Sequence, residues 1–206
     1  MILEVAGVPY KNKYPADWAK EKPTTPFGHI PCLLFVDPKT GKELQVAESH
    51  AINRYLATKH GLVHDDLETR FVADSLDESI RDLMASLMGS LFMLRGDARK
   101  QALAGFKTKD LPAFIDAHSK YLKANGSNGY YFGNKLSYVE LSMFCAVVCI
   151  RMVLGECELT EKNAPELVKL HDVVAANTKL QAYWASDRFH RKFSEAPVLD
   201  DLHKGE

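Results

Sequence analysis

A small α/β unit followed by an all-helical one is the fold class this 206-residue chain predicts, and two observations predict it. The stretch PFGHIPCLLFVDPKTGKELQVAESHAINRYL, Pro26 to Leu56, reads as strand, tight hairpin, strand and helix. From Leu67 onward the apolar residues recur at helical spacing, and no comparable strand pattern returns.

The elements follow from local chemistry. Pro31 precedes the apolar run Cys32 to Val36, where it has no ladder hydrogen bond to lose, and a proline in that place is a candidate cis peptide. Asp37-Pro38-Lys39-Thr40-Gly41 supplies turn chemistry, with proline setting φ early in the turn and glycine taking the positive φ that ends it. Two antiparallel strands follow, the second over Glu43 to Ala47. Ala51, Ile52, Tyr55 and Leu56 then recur as one helical face. Ser49 stands where a cap belongs, and Gly61 after Lys59-His60 is the natural stop. A helix start with free backbone N–H groups is an anion site, so a carboxylate ligand could dock at Ser49; the plainer alternative is a serine that only caps its own helix.

In the second half, Leu76, Ile80, Leu83, Met84, Leu87, Met88 and Leu91 form one apolar face, and Leu111, Phe114, Ile115, His118, Tyr121 and Leu122 a second. Asn125-Gly126-Ser127-Asn128-Gly129 ends that second helix. Ser137 and Glu140 form a capping box, with Leu136 and Leu141 as its hydrophobic staple, opening a helix apolar on most sides and therefore central. Asn163-Ala164-Pro165-Glu166 is expected to open another helix in the same way. Beyond Trp184 the chain turns polar.

Composition narrows the function classes. Lys+Arg 26 against Asp+Glu 27 gives net charge −1, with no basic footprint for nucleic acid. The start carries an acid at Glu4 and lacks the basic region of a signal peptide, and the longest apolar run, Leu141 to Leu154, is broken by Ser142 and Arg151. A soluble, cytoplasmic protein without a membrane partner is the expectation. Cys32, Cys145, Cys149 and Cys157 show no C-x-x-C pair; Cys145 and Cys149, one helical turn apart, read as small core residues. The eight histidines lack any zinc-type cluster, so no metal is expected.

Asp17-Trp18 and Lys22, then Pro26-Phe27-Gly28-His29-Ile30-Pro31, then Glu48-Ser49-x-Ala51-Ile52-x-x-Tyr55-Leu56 resemble, in that order and spacing, the glutathione-binding half of a glutathione transferase of the tyrosine-type, sigma-like branch. The resemblance implies an α/β thioredoxin-like N-terminal domain, incomplete at its start, over residues 1–61, a linker over 62–66 and an all-α domain over 67–206. It also implies glutathione as co-substrate. The backbone of Ile30, ahead of cis Pro31, would face the cysteinyl part. Glu48 and Ser49 would take the γ-glutamyl end, and Trp18 and Lys22 would reach the glycine carboxylate.

Met1 to Tyr10 resembles the end of the family's first helix and the turn into its second strand. The family's first strand, and the tyrosine after it that hydrogen-bonds the glutathione sulfur, have no counterpart here. The catalytic residue is therefore unknown from this sequence, and an incomplete version of a longer protein is the favoured explanation. Losing the strand would leave two rows of sheet backbone unpaired, and losing the donor would cost roughly a hundredfold to a thousandfold in rate.

Asp74, Asp77, Glu78 and Asp82 stripe the first long helix, a pattern that most often marks a solvated face. In sigma-like relatives the matching carboxylates lie at a homodimer interface, which gives Glu78 a cross-subunit contact to glutathione. Leu83, Met84 and Leu87 are core residues or the lining of a pocket for the electrophile. The function implied is conjugation of glutathione to a small apolar electrophile, or isomerisation using it. The alternatives are a non-catalytic relative that carries apolar ligands or serves a structural role, and a glutathione-dependent redox protein, which would need a cysteine upstream of Met1.

Overall fold

The computed structural model describes residues 1–155 and 158–189, and within them the chain forms two compact units, Met1–Val63 and His64 onward. Cys157 and the polar tail from residue 190 lie outside the described residues.

The first unit begins with α1 (Ile2–Ala6), closed by Gly7 at φ 71°, the left-handed turn that ends a helix at low cost for glycine. The strand expected soon after Tyr10 does not form; residues 8–16 run irregularly to α2 (Trp18–Glu21). Pro23 then tightens the chain into a 3-10 turn, Lys22–Thr24.

β1 (Leu33–Val36) and β2 (Glu43–Val46) pair antiparallel in the register Leu33↔Val46, Leu34↔Gln45, Phe35↔Leu44 and Val36↔Glu43. The hairpin closes as its turn chemistry requires. Asp37 accepts from the Lys39 amide at 3.0 Å and the Thr40 hydroxyl at 2.7 Å, and Gly41 sits at φ 67°. Among the described residues these are the sheet's only two strands, so each keeps one unpaired edge.

α3 (Ser49–Lys59) packs against α1. Its Tyr55 ring lies 5.4 Å from Phe35 of the sheet, and the Lys59 ammonium stands over both rings. The helix ends as predicted: Gly61 adopts φ 70° and the Leu62 amide returns to the Ala57 carbonyl at 2.8 Å.

The second unit is all-helical among the described residues, with α4 (Leu67–Met93), α5 (Gly96–Gly105), a π turn (Phe106–Asp110), α6 (Leu111–Ala124), α7 (Tyr138–Leu154), α8 (Pro165–Ala175) and α9 (Thr178–Trp184). Its core is built from the predicted periodic faces, except that Tyr121 of α6 is exposed. Leu76, Ile80, Leu83, Leu87 and Leu91 of α4 are buried, as are Leu111, Phe114, His118 and Leu122 of α6. Leu83 and Leu87 are thereby core residues. α7 is central, packing against α4 and α8.

The α7 capping box forms as expected. Glu140 is fully buried, its Oε2 accepting from the Ser137 amide at 2.8 Å and the Ser137 hydroxyl at 2.6 Å, while its Oε1 accepts the Tyr131 amide at 2.9 Å. α8 starts differently from the expectation. Ala164 is its N-cap and no side chain caps it, because Asn163 turns back to accept from the Thr160 amide at 2.7 Å and Glu166 instead accepts the Ser127 hydroxyl at 2.9 Å.

Two further expectations are corrected. Cys145 is exposed and Cys149 only half-buried, so neither is a core residue; α7 shows that edge of its surface outward. The acidic stripe of α4 is not one solvated face either. Asp77 is fully buried and Asp74 accepts the Tyr138 hydroxyl, because the helix turns both toward α7.

Candidate glutathione site

The site expected from the sequence is built from three loops of the first unit. Asp17 opens α2, accepting the Lys20 amide at 3.4 Å, and Glu21 reaches back to the Ala16 amide at 2.8 Å. That amide hydrogen bond is the main cause holding the Glu21 carboxyl below its usual range. The two contacts pin the start of α2, so Trp18, partly exposed, is presented from a fixed turn. Four residues on, Lys22 lays its stem beside Gly28, whose missing side chain leaves room for it: a Cβ there would stand 3.5 Å from the lysine Cε. Gly28 also holds φ 71°, a conformation other residues adopt only with strain.

The next turn carries Ile30 and Pro31, joined by a cis peptide bond as expected. Ile30 is exposed, and neither its backbone N–H nor its C=O has a hydrogen-bond partner among the described residues. One residue earlier, His29 Nε2 lies 3.2 Å from Glu48 Oε1, which brings the Ile30 turn up to the start of α3.

At that start the structure corrects the cap. Glu48, not Ser49, is the N-cap residue; Ser49 is the first residue inside the helix, and no side chain caps the end. A serine one position into the helix has lost the extended backbone from which its oxygen would reach the amides ahead. The Ser49 hydroxyl consequently has no partner among the described residues, and the end keeps first-turn amides that no side chain satisfies. Glu48 itself sits at φ 71° and ψ 101°, one of two non-glycine residues with positive φ among those described. Such a conformation costs on the order of 1–3 kcal/mol and concentrates at binding sites.

Trp18 and Lys22 on α2 and the 3-10 turn, Ile30 and Pro31 on the next turn, and Glu48 and Ser49 at the start of α3 thus follow one another along the chain, with the Lys22 stem beside Gly28 and His29 beside Glu48. His29 was not singled out in the sequence as a partner of Glu48; a histidine within two residues of a cis proline was the only signal. Glu78 is placed elsewhere, on α4, where its carboxylate takes the Arg81 Nε at 2.5 Å, one turn along the same helix. Of the two tyrosines nearest the start, Tyr10 donates its hydroxyl to Glu4 at 2.7 Å. Cys32 directs its thiol to the His29 carbonyl at 3.4 Å. Among the described residues no group of three or more His, Cys, Asp or Glu side chains could hold a metal ion, and no helix is long and apolar enough to cross a membrane.

Comparison with known proteins decides the family. The family profile for the glutathione S-transferase C-terminal domain matches residues 81–187, half of the chain. The chain belongs to the glutathione S-transferase family. It is 35% identical over 150 residues to a probable glutathione S-transferase 7 of Caenorhabditis elegans, covering 68% of this chain and 67% of that one. To glutathione S-transferase 2 of Manduca sexta it is 29% identical over 187 residues, covering 89% of this chain and 87% of the relative. Among solved structures, the sigma class glutathione transferase of Fasciola hepatica shares the fold with a TM-score of 0.77 at 23% identity, over 91% of this chain and 90% of that one. The glutathione S-transferase fold, a small α/β unit ahead of a helical one, is therefore the architecture of this chain, as the sequence predicted.

Proposed function

We propose that the first unit binds glutathione and that the protein is a glutathione transferase, conjugating the tripeptide to a small apolar electrophile or using it for isomerisation. The observation that carries the reading is the start of α3, where an unpartnered Ser49 hydroxyl, amides without a side-chain cap and a strained Glu48 meet the Ile30 turn. The γ-glutamyl end of glutathione offers a carboxylate to those amides and to Ser49, and an ammonium to Glu48. The unpartnered Ile30 backbone suits the cysteinyl amide groups, with Pro31 shaping that turn. Lys22 and the Trp18 indole suit the glycine carboxylate. A cytoplasmic homodimer built across α4, with Glu78 reaching the partner's glutathione, completes the proposal; breaking the Glu78–Arg81 pair would free that carboxylate for it.

A second reading, a glutathione-binding relative without turnover, is favoured by one observation: Tyr10 is engaged by Glu4 rather than turned toward the Ile30 turn. Titration calorimetry with glutathione, paired with a chromogenic aryl halide assay, separates the two. Binding with turnover supports the transferase, and binding alone the second reading. Ser49→Ala should weaken glutathione at least tenfold, the value of one hydrogen bond to a charged group at about 1.5 kcal/mol. Because Ser49 caps nothing, the melting temperature should stay unchanged. Wild-type affinity in the folded variant would remove Ser49 from the site.

A further inference from the structure

Two cysteines on the outward side of α7 have no packing reason to be there. Free cysteine is among the most buried residue types, yet Cys145 is exposed, Cys149 is only half-buried and neither is in a disulfide. They stand four residues apart, and Met152 follows three further on, so the three share one face of the helix, with successive Cβ atoms about 5–6 Å apart. The residues that α7 buries, from Tyr138 to Val153, include none of them, and Met152 is half-buried like Cys149. Side chains on a helix lean toward its N-terminus, which brings the long, flexible Met152 thioether within reach of Cys149.

The donor set on this row is all sulfur. Among the described residues no imidazole or carboxylate joins the two thiols in a group of three. The row therefore does not fit the four nitrogen and sulfur ligands of structural zinc, nor the oxygen shells of magnesium and calcium. Two thiolates and a thioether are soft ligands, and the soft cation they select is Cu(I). The chain crowded around the row desolvates both thiols and raises them, Cys145 to about 11, so at neutral pH they are poor nucleophiles and a bound cation must displace their protons.

We propose that Cys145, Cys149 and Met152 bind one Cu(I) ion through their three sulfur atoms. Each thiol gives up its proton to water as its sulfur bonds the metal, so two protons leave for each ion bound, and the copper keeps its oxidation state. The site lies on one helix of the second unit and does not rest on the glutathione reading.

The test titrates the whole chain, reduced, anaerobic and free of glutathione, with Cu(I) held by the chromogenic chelator bicinchoninate. The protein should withdraw one equivalent of Cu(I), and X-ray absorption of the complex should show sulfur neighbours alone. Losing a ligand should cost no less than the roughly 10–100-fold in affinity that losing a residue supporting one does. Cys145→Ser and Cys149→Ser should each weaken binding by that much, and Met152→Leu at least fivefold, while Cys32→Ser, in the first unit, should leave it unchanged. Circular dichroism checks that each variant is folded, as expected at positions that α7 does not bury. Full affinity in either serine variant at α7 or in Met152→Leu, loss of the equivalent in Cys32→Ser, or nitrogen or oxygen neighbours at the metal would each overturn the proposal.

Discussion

Acidification should destabilise this protein through a single histidine. His118 is 1% exposed, packed 4.1 Å from the Phe114 ring, and burial pushes its pKa down to about 4 from the ordinary 6.5. Its two ring nitrogens are both engaged, Nδ1 with the Tyr131 hydroxyl and Nε2 with the Ser79 hydroxyl, each at 2.7 Å. Neither hydroxyl has another hydrogen-bond partner among the described residues, so the neutral ring donates its one proton to one of them and accepts from the other. Burial keeps the phenol neutral by raising its pKa well above 10, so Tyr131 offers no negative charge to a protonated ring. A second ring proton would displace the hydroxyl proton that the neutral ring accepts.

Because the folded pKa lies below the unfolded one for a base, the unfolded chain takes up the proton first. The contribution is complete above about pH 6.5 and is lost as pH falls toward 4. Each unit within that window removes about 1.4 kcal/mol, so about 3 kcal/mol in all is at stake, a large share of an ordinary domain's stability. The carboxyls of Glu21, Asp37, Asp66 and Asp116 are held below their usual values of 4.5 or 3.8, so their contributions persist above those values and are lost only at lower pH. Urea melts at half-unit steps from pH 7 to 4.5 should show the slope in wild type. His118→Gln, whatever its absolute stability, should show a slope smaller by about 1.4 kcal/mol per unit. Identical slopes would refute the assignment, as would an imidazole titrating near 6.5 by NMR.

Two further perturbations probe the same unit. Glu140→Gln replaces one oxygen with an amino group facing amide and hydroxyl donors, and should cost about 1–3 kcal/mol in urea melts; a neutral effect would mean that the box adds nothing to α7. Gly129→Ala would place a Cβ 2.6 Å from Val173 Cγ2 at φ +87°, whereas Gly133→Ala, at φ +58°, meets nothing within 4 Å. The first should therefore lower the melting temperature markedly more than the second, for which only left-handed strain of about 1–2 kcal/mol applies; equal losses would show that φ alone matters.

The sequence by itself determined what depends on neighbours a few residues apart. The Asp37–Gly41 hairpin, the Gly61 stop, the Ser137–Glu140 box and the apolar rows of α4 and α6 are each settled by interactions within one turn of chain, and each stands where the sequence placed it, the exposed Tyr121 of α6 excepted. The motif order from Trp18 to Ser49 was legible for the same reason, since each loop carries its own proline, glycine or acid-serine signature. Tertiary structure decided the rest. That Ser49 lies inside α3 depends on how the Ile30 turn holds Glu48 through His29, nineteen positions away. That Asp77 is buried and Asp74 bonded to Tyr138 depends on α4 meeting α7, and the same acidic stripe on an unpartnered helix would be solvated. Ser79, His118 and Tyr131 join across gaps of 39 and 13 residues. Periodicity reports which face of a helix turns inward, but a polar group's protonation and purpose are fixed by what packs against it, and that partner comes from another part of the chain.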